Sequence, residues 1–402
     1  MRRLLILVLF GLVVAGGAAV TWQAMGRAKL VERDLVAARA LLAQAGGVEA
    51  GKLERRLRLV DRAERRTTSA EQRLGRWPLR QLGALPLAGR DVRVARAVTA
   101  SATATVRSTR QVVTALQPVQ TRAPTKASIE GAAAALLALH GTLEQGLERV
   151  RATRPLVTAS TRTRYLEAAS SASATAERAG QGLKVAASLY GAPGTARWFL
   201  AFQNPAELRG TGGLIGEYGI LESSPTGPKL VKVDPYSDLN ERTNEGVALP
   251  SPLAARYEGY AIGQDWSAVN IPPDMPTVGR LITELYRRTT GDRIDRVIAA
   301  DPLAVAQILR VTGPIQAGGI WMDADNVADE TLVQAYVRYE ADNDARRRFL
   351  EELARASFQA FRNGLTTEPF QLVRNLARPP AVAMCRSSSL TRPGNGRRPA
   401  WG

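Results

Sequence analysis

Arg293–Ile315 reads RIDRVIAADPLAVAQILRVTGPI. Within it, RVIAA (Arg296–Ala300) is a short apolar run of the kind that forms a strand. Asp301 closes that run and pairs with Pro302 as the cap and first residue of a helix expected over Pro302–Val311. A strand that delivers the chain directly into a helix is the repeating unit of an α/β layer domain. Working outward, RWFLAF (Arg197–Phe202), LIGEYGIL (Leu214–Leu221) and KLVKV (Lys229–Val233) read as three further strands. Thr277–Arg288 reads as a helix before the fourth strand, and a helical region is expected from Asn326 through Arg362, with the charged, exposed stretch ADNDARRR (Ala341–Arg348) inside it. The fold expected over residues 191–376 is therefore α/β, a mixed sheet with flanking helices.

The texture changes at GAPG (Gly191–Gly194). Upstream, residues 28–190 are rich in Ala, Arg, Leu, Thr and Glu, with apolar positions at helical spacing: Leu30, Leu35, Ala38, Leu41 and Leu42 on one face, and Leu136, Leu137, Leu143, Leu147 and Val150 on a later one. Pro78, Pro86, Pro118, Pro124 and Pro155 fall between the runs, and Ser128 is placed to cap the helix that follows it. An all-α bundle or stalk is expected here, its arginines forming a solvated face.

Before it, Arg2 and Arg3 precede the uncharged stretch Leu4–Met25, with Arg27 and Lys29 after it. Twenty-two residues rise about 33 Å as a helix, against a bilayer core of about 30 Å. The expectation is a transmembrane signal anchor with residues 1–3 cytoplasmic and the bulk of the chain extracytoplasmic. A cleaved signal peptide is the competing reading, given the small residues Gly17, Ala18 and Ala19. At the other end, residues 377–402 lack periodicity and acidic residues, so disorder is expected. That texture is also what a GC-rich frame read out of phase produces.

Composition excludes several chemistries. The chain of 402 residues has one cysteine, Cys385, and one histidine, His140. No intramolecular disulfide can form, and a zinc site of several Cys or His ligands is ruled out. His140, inside AAAALLALH (Ala132–His140), reads as a helix-face residue at the solvent edge. The formal net charge is +17, yet only six residues are lysine. The arginine bias reflects GC-rich coding more economically than a nucleic-acid partner, and no aromatics interleave the basic stretches; no nucleic-acid role is expected.

The densest cluster of polar and glycine residues is QNPAELRGTGG (Gln203–Gly213), directly after the first strand. Its glycines permit close backbone approach, and exposed amides beside a guanidinium can cradle an anion. The candidate ligand-binding residues are Asn204, Glu207, Arg209, Gly210, Thr211 and Gly213, joined by Arg242 and by Asn270 from the proline-fixed loop at Asn270–Asp274. Polar groups at strand ends of an α/β sheet are where ligand crevices form. Asp238 and Asp274 are the candidate metal ligands, with magnesium as the cation, since it takes one or two carboxylates and keeps its waters. Asp323, Asp325 and Asp329 resemble half a calcium loop and read as surface loop.

Four segments carry a resemblance: NPAELRGTGGLIGEYGIL (Asn204–Leu221), VDPYSDL (Val233–Leu239), VNIPPDMPT (Val269–Thr277) and the opening stretch at Arg293–Ile315. Together they resemble a family of uncharacterised single-span envelope proteins of actinobacteria, a domain of unknown function. A more distant similarity is to the LytR-CpsA-Psr phosphotransferases. That resemblance implies an anchored extracytoplasmic α/β domain whose arginines hold a polyprenyl pyrophosphate and whose aspartates hold magnesium, while a glycopolymer is moved to the cell wall. Arg209 looks like one of those arginines and Asp238 like one of those aspartates, although Tyr236 stands where the family has arginine. The expected function is binding of an anionic cell-envelope ligand, a polyprenyl-pyrophosphate glycan or similar. The alternatives are a non-catalytic structural or polymer-binding scaffold and a glycopolymer phosphotransferase.

Overall fold

The structure, a computed structural model, describes residues 25–45, 52–87, 89–121, 124–194, 196–242, 245–376 and 386–389. The chain divides into two compact units, a helical one reaching Gln181 and an α/β one from Gly182 onward that also takes in Arg122–Glu130.

The helices before the sheet are α1 (residues 25–45), α2 (Leu53–Leu74), the short α3 (Leu79–Leu82), α4 (Gly89–Thr121), α5 (Lys126–Arg151) and α6 (Ala159–Ser188). Their contacts run in opposite senses along successive partners, which makes the packing antiparallel. Val31 meets Ala70 and Leu74, while Ala38 and Ala45 meet Val60 and Ala63. On the other side of the bundle, Ser101 approaches Gly146, and Val94 and Val98 pack with Val150. Asp34 is buried with both carboxylate oxygens occupied, by Arg66 at 3.0 Å and Arg73 at 3.1 Å. Leu30, expected on the apolar face, is exposed, and Val31 takes the inward position instead. Pro118 lies inside α4 rather than between helices. At the start of α5 the cap is Thr125, whose hydroxyl accepts from Ser128 N, while Ser128 Oγ accepts from Thr125 N. Ser128 is thus the third helical residue of a capping box and not the cap itself.

The transmembrane helix expected in front of the bundle is corrected. No helix among the described residues is long and apolar enough to cross a membrane. Helix α1, which begins at Met25, the last residue of the expected span, carries Arg27, Lys29, Glu32, Arg33, Asp34 and Arg39, charges that are costly in hydrocarbon. Residues 4–24 of the expected span lie outside the described residues.

In the α/β unit the sheet order is Lys229–Pro235, Leu214–Glu222, Arg197–Asn204, Arg296–Ala300 and Arg386–Ser389. Strands β1 (Arg197–Asn204), β2 (Leu214–Glu222) and β3 (Lys229–Pro235) form an antiparallel meander, and β4 (Arg296–Ala300) adds parallel to β1. All four coincide with the expected runs, extended by up to two residues. A two-stranded hairpin of β5 (Ile315–Ala317) and β6 (Ile320–Met322) was not expected. Its turn residues Gly318 and Gly319 both have positive φ, 55° and 77°, as a tight two-residue hairpin requires. The edge strand β7 (Arg386–Ser389) pairs antiparallel with β4, so these four residues of the stretch expected to be disordered have regular structure. The rest of 377–402, Cys385 included, lies outside the described residues.

After β3 come the short helices α7 (Ser237–Asn240) and α8 (Ser251–Arg256), then α9 (Met275–Thr290). Helix α9 covers one sheet face. There Phe199 stacks on Tyr218 at 5.2 Å and on Trp266 at 5.7 Å, with Tyr286 edge-on to all three. Helices α10 (Pro302–Thr312), α13 (Asn343–Thr367) and α14 (Pro369–Leu376) follow β4, α10 packing against both of the others. Between α10 and α13, the helical region expected as one from Asn326 is broken. It consists of α11 (Val327–Asp329), a π-helical turn (Glu330–Gln334) and α12 (Ala335–Arg338), and stops before Asp342, whose side chain caps α13 by accepting from Ala345 N.

Candidate functional site

Alternation along β1 sends Phe199 and Ala201 into the α9-facing core and Phe202 to the opposite face. Phe202 lies across from Glu217 of β2. Immediately beyond, the register shifts so that Gln203 faces Ile215, leaving Gly216 without an opposite residue. A bulge of this kind bends the strand and re-aims its neighbours. Above it opens a pocket of about 370 Å³. The pocket lies at the carboxyl ends of β1, β3 and β4, represented by Asn204, Pro235 and Ala300, and is closed by α10, the π turn, α12 and α13. That is the crevice position of open α/β sheets.

Its lining combines two chemistries. Phe202, Leu214, Val305, Val327, Leu350 and Leu353 are apolar. Two guanidinium groups, Arg346 and Arg347, stand at the first turn of α13. Arg346 lies over the Tyr336 ring, 4.6 Å from its centroid, and Arg347 pairs with Asp344. Because α13 repeats every 3.6 residues, Arg346, Leu350, Leu353 and Ser357 fall on one face, and that face lines the pocket. Thr331 enters from the π turn, a distortion that often accompanies functional sites.

Two polar atoms in this lining are buried without any protein partner among the described residues, Glu217 Oε2 and Ser357 Oγ. Native interiors rarely leave such atoms unpaired. Glu217 is only 7% exposed, and burial pushes its carboxyl up to about 8, reinforced by the negative charges of Glu351 and Asp238 and opposed by Arg347. At neutral pH it is mainly a neutral acid, able to donate a hydrogen bond. Asp301 also lines the pocket and is raised by burial, but its Oδ1 accepts from Ala304 N at 2.7 Å as the cap of α10.

Of the residues singled out from the sequence, Asn204 and Glu207 line the pocket. Asn204 donates to Tyr336 Oη at 2.8 Å and accepts from Ala206 N at 3.0 Å. Arg209 is committed to backbone carbonyls, donating to Ser267 O at 3.1 Å and Leu208 O at 3.0 Å. Thr211 and Asn270 are buried together: Asn270 Nδ2 donates to Thr211 Oγ1 at 3.1 Å and to Gly213 O at 2.7 Å. Glycine at 210 and 213 serves packing, since a Cβ there would sit 2.2 Å from Ile271 O and 2.1 Å from Asn204 O respectively. Arg242 is exposed and outside the pocket lining. Six of the eight expected ligand-binding residues therefore knit two loops together or stand apart, and do not surround the cavity.

The candidate metal ligands are not brought together as a cluster. Asp274 is the cap of α9, its Oδ2 accepting from Thr277 N at 2.8 Å. Hydrogen bonds from the Thr277 hydroxyl and amide hold its carboxyl below the usual range. Asp238 neighbours Tyr236 and Ser237 of the pocket wall without lining it. Asp323 closes its own turn by accepting from Asp325 N and Asn326 N. Among the described residues no group of three or more His, Cys, Asp or Glu side chains could hold a metal ion. Asp274→Ala is expected to cost about 1 kcal/mol as a lost cap, with the same shift in melting temperature whether or not magnesium is present. A magnesium-dependent difference would restore the ligand role.

His140 is half-buried on α5. Its Nδ1 meets Ser173 Oγ at 2.9 Å, and that hydroxyl donates to Glu144 at 2.5 Å. In a nucleophilic triad the histidine stands between hydroxyl and carboxylate; here the serine does, so the cluster is a helix-to-helix clasp.

Residues 193–336 match a family described as Protein of unknown function (DUF4012). The DUF4012 match runs from just before β1 to Tyr336 in α12, and so contains the strand-end wall, Glu217, Asp301 and the π turn. The arginines of α13 lie beyond it. No curated protein and no solved structure matches the chain.

Proposed function

We propose that the α/β unit is a binding module for an amphipathic anion of the cell envelope, of the polyprenyl-phosphate class, held in the pocket at the carboxyl ends of β1, β3 and β4. One observation carries this reading: a single cavity joins two guanidinium groups, apolar side chains and unpartnered polar atoms. Pockets of a few hundred Å³, mostly apolar with a few convergent polar groups, are the usual form of small-molecule sites. Arg346 and Arg347 suit an oxyanion, for which guanidinium offers paired donors, while Leu350, Leu353, Val305 and Val327 suit a hydrocarbon segment.

A LytR-CpsA-Psr-like phosphotransfer reading would place Arg209 and Arg242 on a pyrophosphate. Arg209 is occupied by the Ser267 and Leu208 carbonyls, and Arg242 lies outside the lining. Binding, rather than transfer through those two arginines, is the function that the arrangement favours. The test is calorimetric titration of the full chain with farnesyl pyrophosphate. Saturable binding is expected, weakened about tenfold or more in the double variant Arg346→Ala/Arg347→Ala and little changed in Arg242→Ala. Binding lost in Arg242→Ala and kept in the double variant would reject the pocket.

A further inference from the structure

We infer that Glu217 is the specificity-determining contact of this pocket, a neutral carboxylic acid whose Oε2 hydroxyl donates to an oxygen of the bound anion and whose ionisation expels it. The inference rests on the pocket reading above and adds the chemistry by which the ligand is chosen.

Its basis is geometric. Glu217 is the charged residue inside the otherwise uncharged run LIGEYGIL, and pairing with Phe202 turns it away from the aromatic core onto the pocket face. The bulge at Gly216 lies next to it on the pocket side. Its Oε2 is buried and has no protein partner among the described residues, although a buried carboxyl normally finds one. An atom left so in a cavity wall is available to a ligand. Arg346 and Arg347 in the same lining supply the positive charge that an oxyanion needs, and the acid adds a donor where a carboxylate would repel.

The groups around it set the sign of the response. Arg347 on α13 favours ionisation, whereas Glu351 on α13 and Asp238 on α7 oppose it. Arg346, Glu207, Asp301 and Tyr336 line the same cavity, and the Tyr336 hydroxyl is itself raised by burial, with Glu207 and Glu217 adding to the shift. Burial is the largest influence on Glu217, holding it protonated up to about pH 8. Above that value a second negative charge confronts the ligand.

The experiment is the farnesyl pyrophosphate titration repeated between pH 7.5 and 9.5 on the wild type, Glu217→Gln and Glu217→Asp, with circular dichroism at each pH to confirm folding. Glutamine keeps a neutral donor of the same shape. Wild-type affinity is expected to fall about tenfold per pH unit above the carboxyl's pKa. Glu217→Gln should bind within about threefold of wild type at pH 7.5 and stay level to pH 9.5, with Glu217→Asp weaker because its shorter side chain does not reach. A level wild-type profile, or a Glu217→Gln profile that falls in parallel with it, overturns the role of Glu217 while leaving the pocket standing. Absence of binding by folded wild type at every pH overturns the pocket reading and this inference with it.

Discussion

Glu217→Gln is expected to remove much of the alkaline loss of stability of the α/β unit. The sign follows from linkage. A carboxyl with its pKa raised from 4.5 to about 8 by burial binds its proton more tightly folded than unfolded, so stability is fully present below the unfolded pKa and declines as pH rises through the folded one. The window is therefore about pH 4.5 to 8, and the accumulated cost above it is on the order of 5 kcal/mol. Glutamine cannot ionise and keeps the shape of the neutral acid. Urea denaturation of wild type and variant at pH 5, 7 and 9 measures the effect. The curves should nearly coincide at pH 5, with the variant several kcal/mol more stable at pH 9. Equal slopes of stability against pH would mean that Glu217 is ionised and paired in solution.

Trp266→Ala is expected to cost about 3–5 kcal/mol, the range for deleting a large aromatic from a core. Trp266 is fully buried, stacked on Phe199 and edge-on to Tyr286 at 6.3 Å. Its consequences extend to the loop it anchors. The Trp266 amide donates to Asn240 Oδ1, and the next residue, Ser267, supplies the carbonyl that holds Arg209. Chemical denaturation gives the stability change. A loss below about 1 kcal/mol would show that the aromatic stack does not organise the α9-facing core.

Much of the fold was legible because it depends on local patterns. RVIAA followed by Asp-Pro specifies a strand and the capped start of a helix, and Asp301 performs that capping role. The four main strands announce themselves by apolar runs between turn residues. The hairpin at Gly318–Gly319 carried a signal too, two glycines between short apolar runs, but its strands of three residues fall below the length at which periodicity speaks. Pro118 shows the limit from the other side, for a proline expected to break a helix is accommodated within α4.

The edge of the sheet that carries the site could be read from the sequence, since polar residues crowd the ends of the first and third strands. Which residues face the cavity could not. Arg209, Gly210, Thr211, Gly213 and Asn270 look like an anion cradle in one dimension; in three they close on Ile271 and Ser267 of a neighbouring loop and on Asn204 at the end of β1. Conversely, Arg346 and Arg347 sit in a run that reads as a solvated helix face, more than a hundred residues from β1, β2 and β3, whose residues share the pocket with them.

The sequence by itself determined the two compositions, the α/β order and the presence of a lone acid in the middle of an apolar strand, because each is a property of neighbours along the chain. Only the tertiary structure decided that this acid faces a cavity, that α13 brings two guanidinium groups to it, and that the glycine-rich loop is spent on packing. Burial and the company of distant charges are set by how the sheet and helices pack together, and no local pattern encodes them.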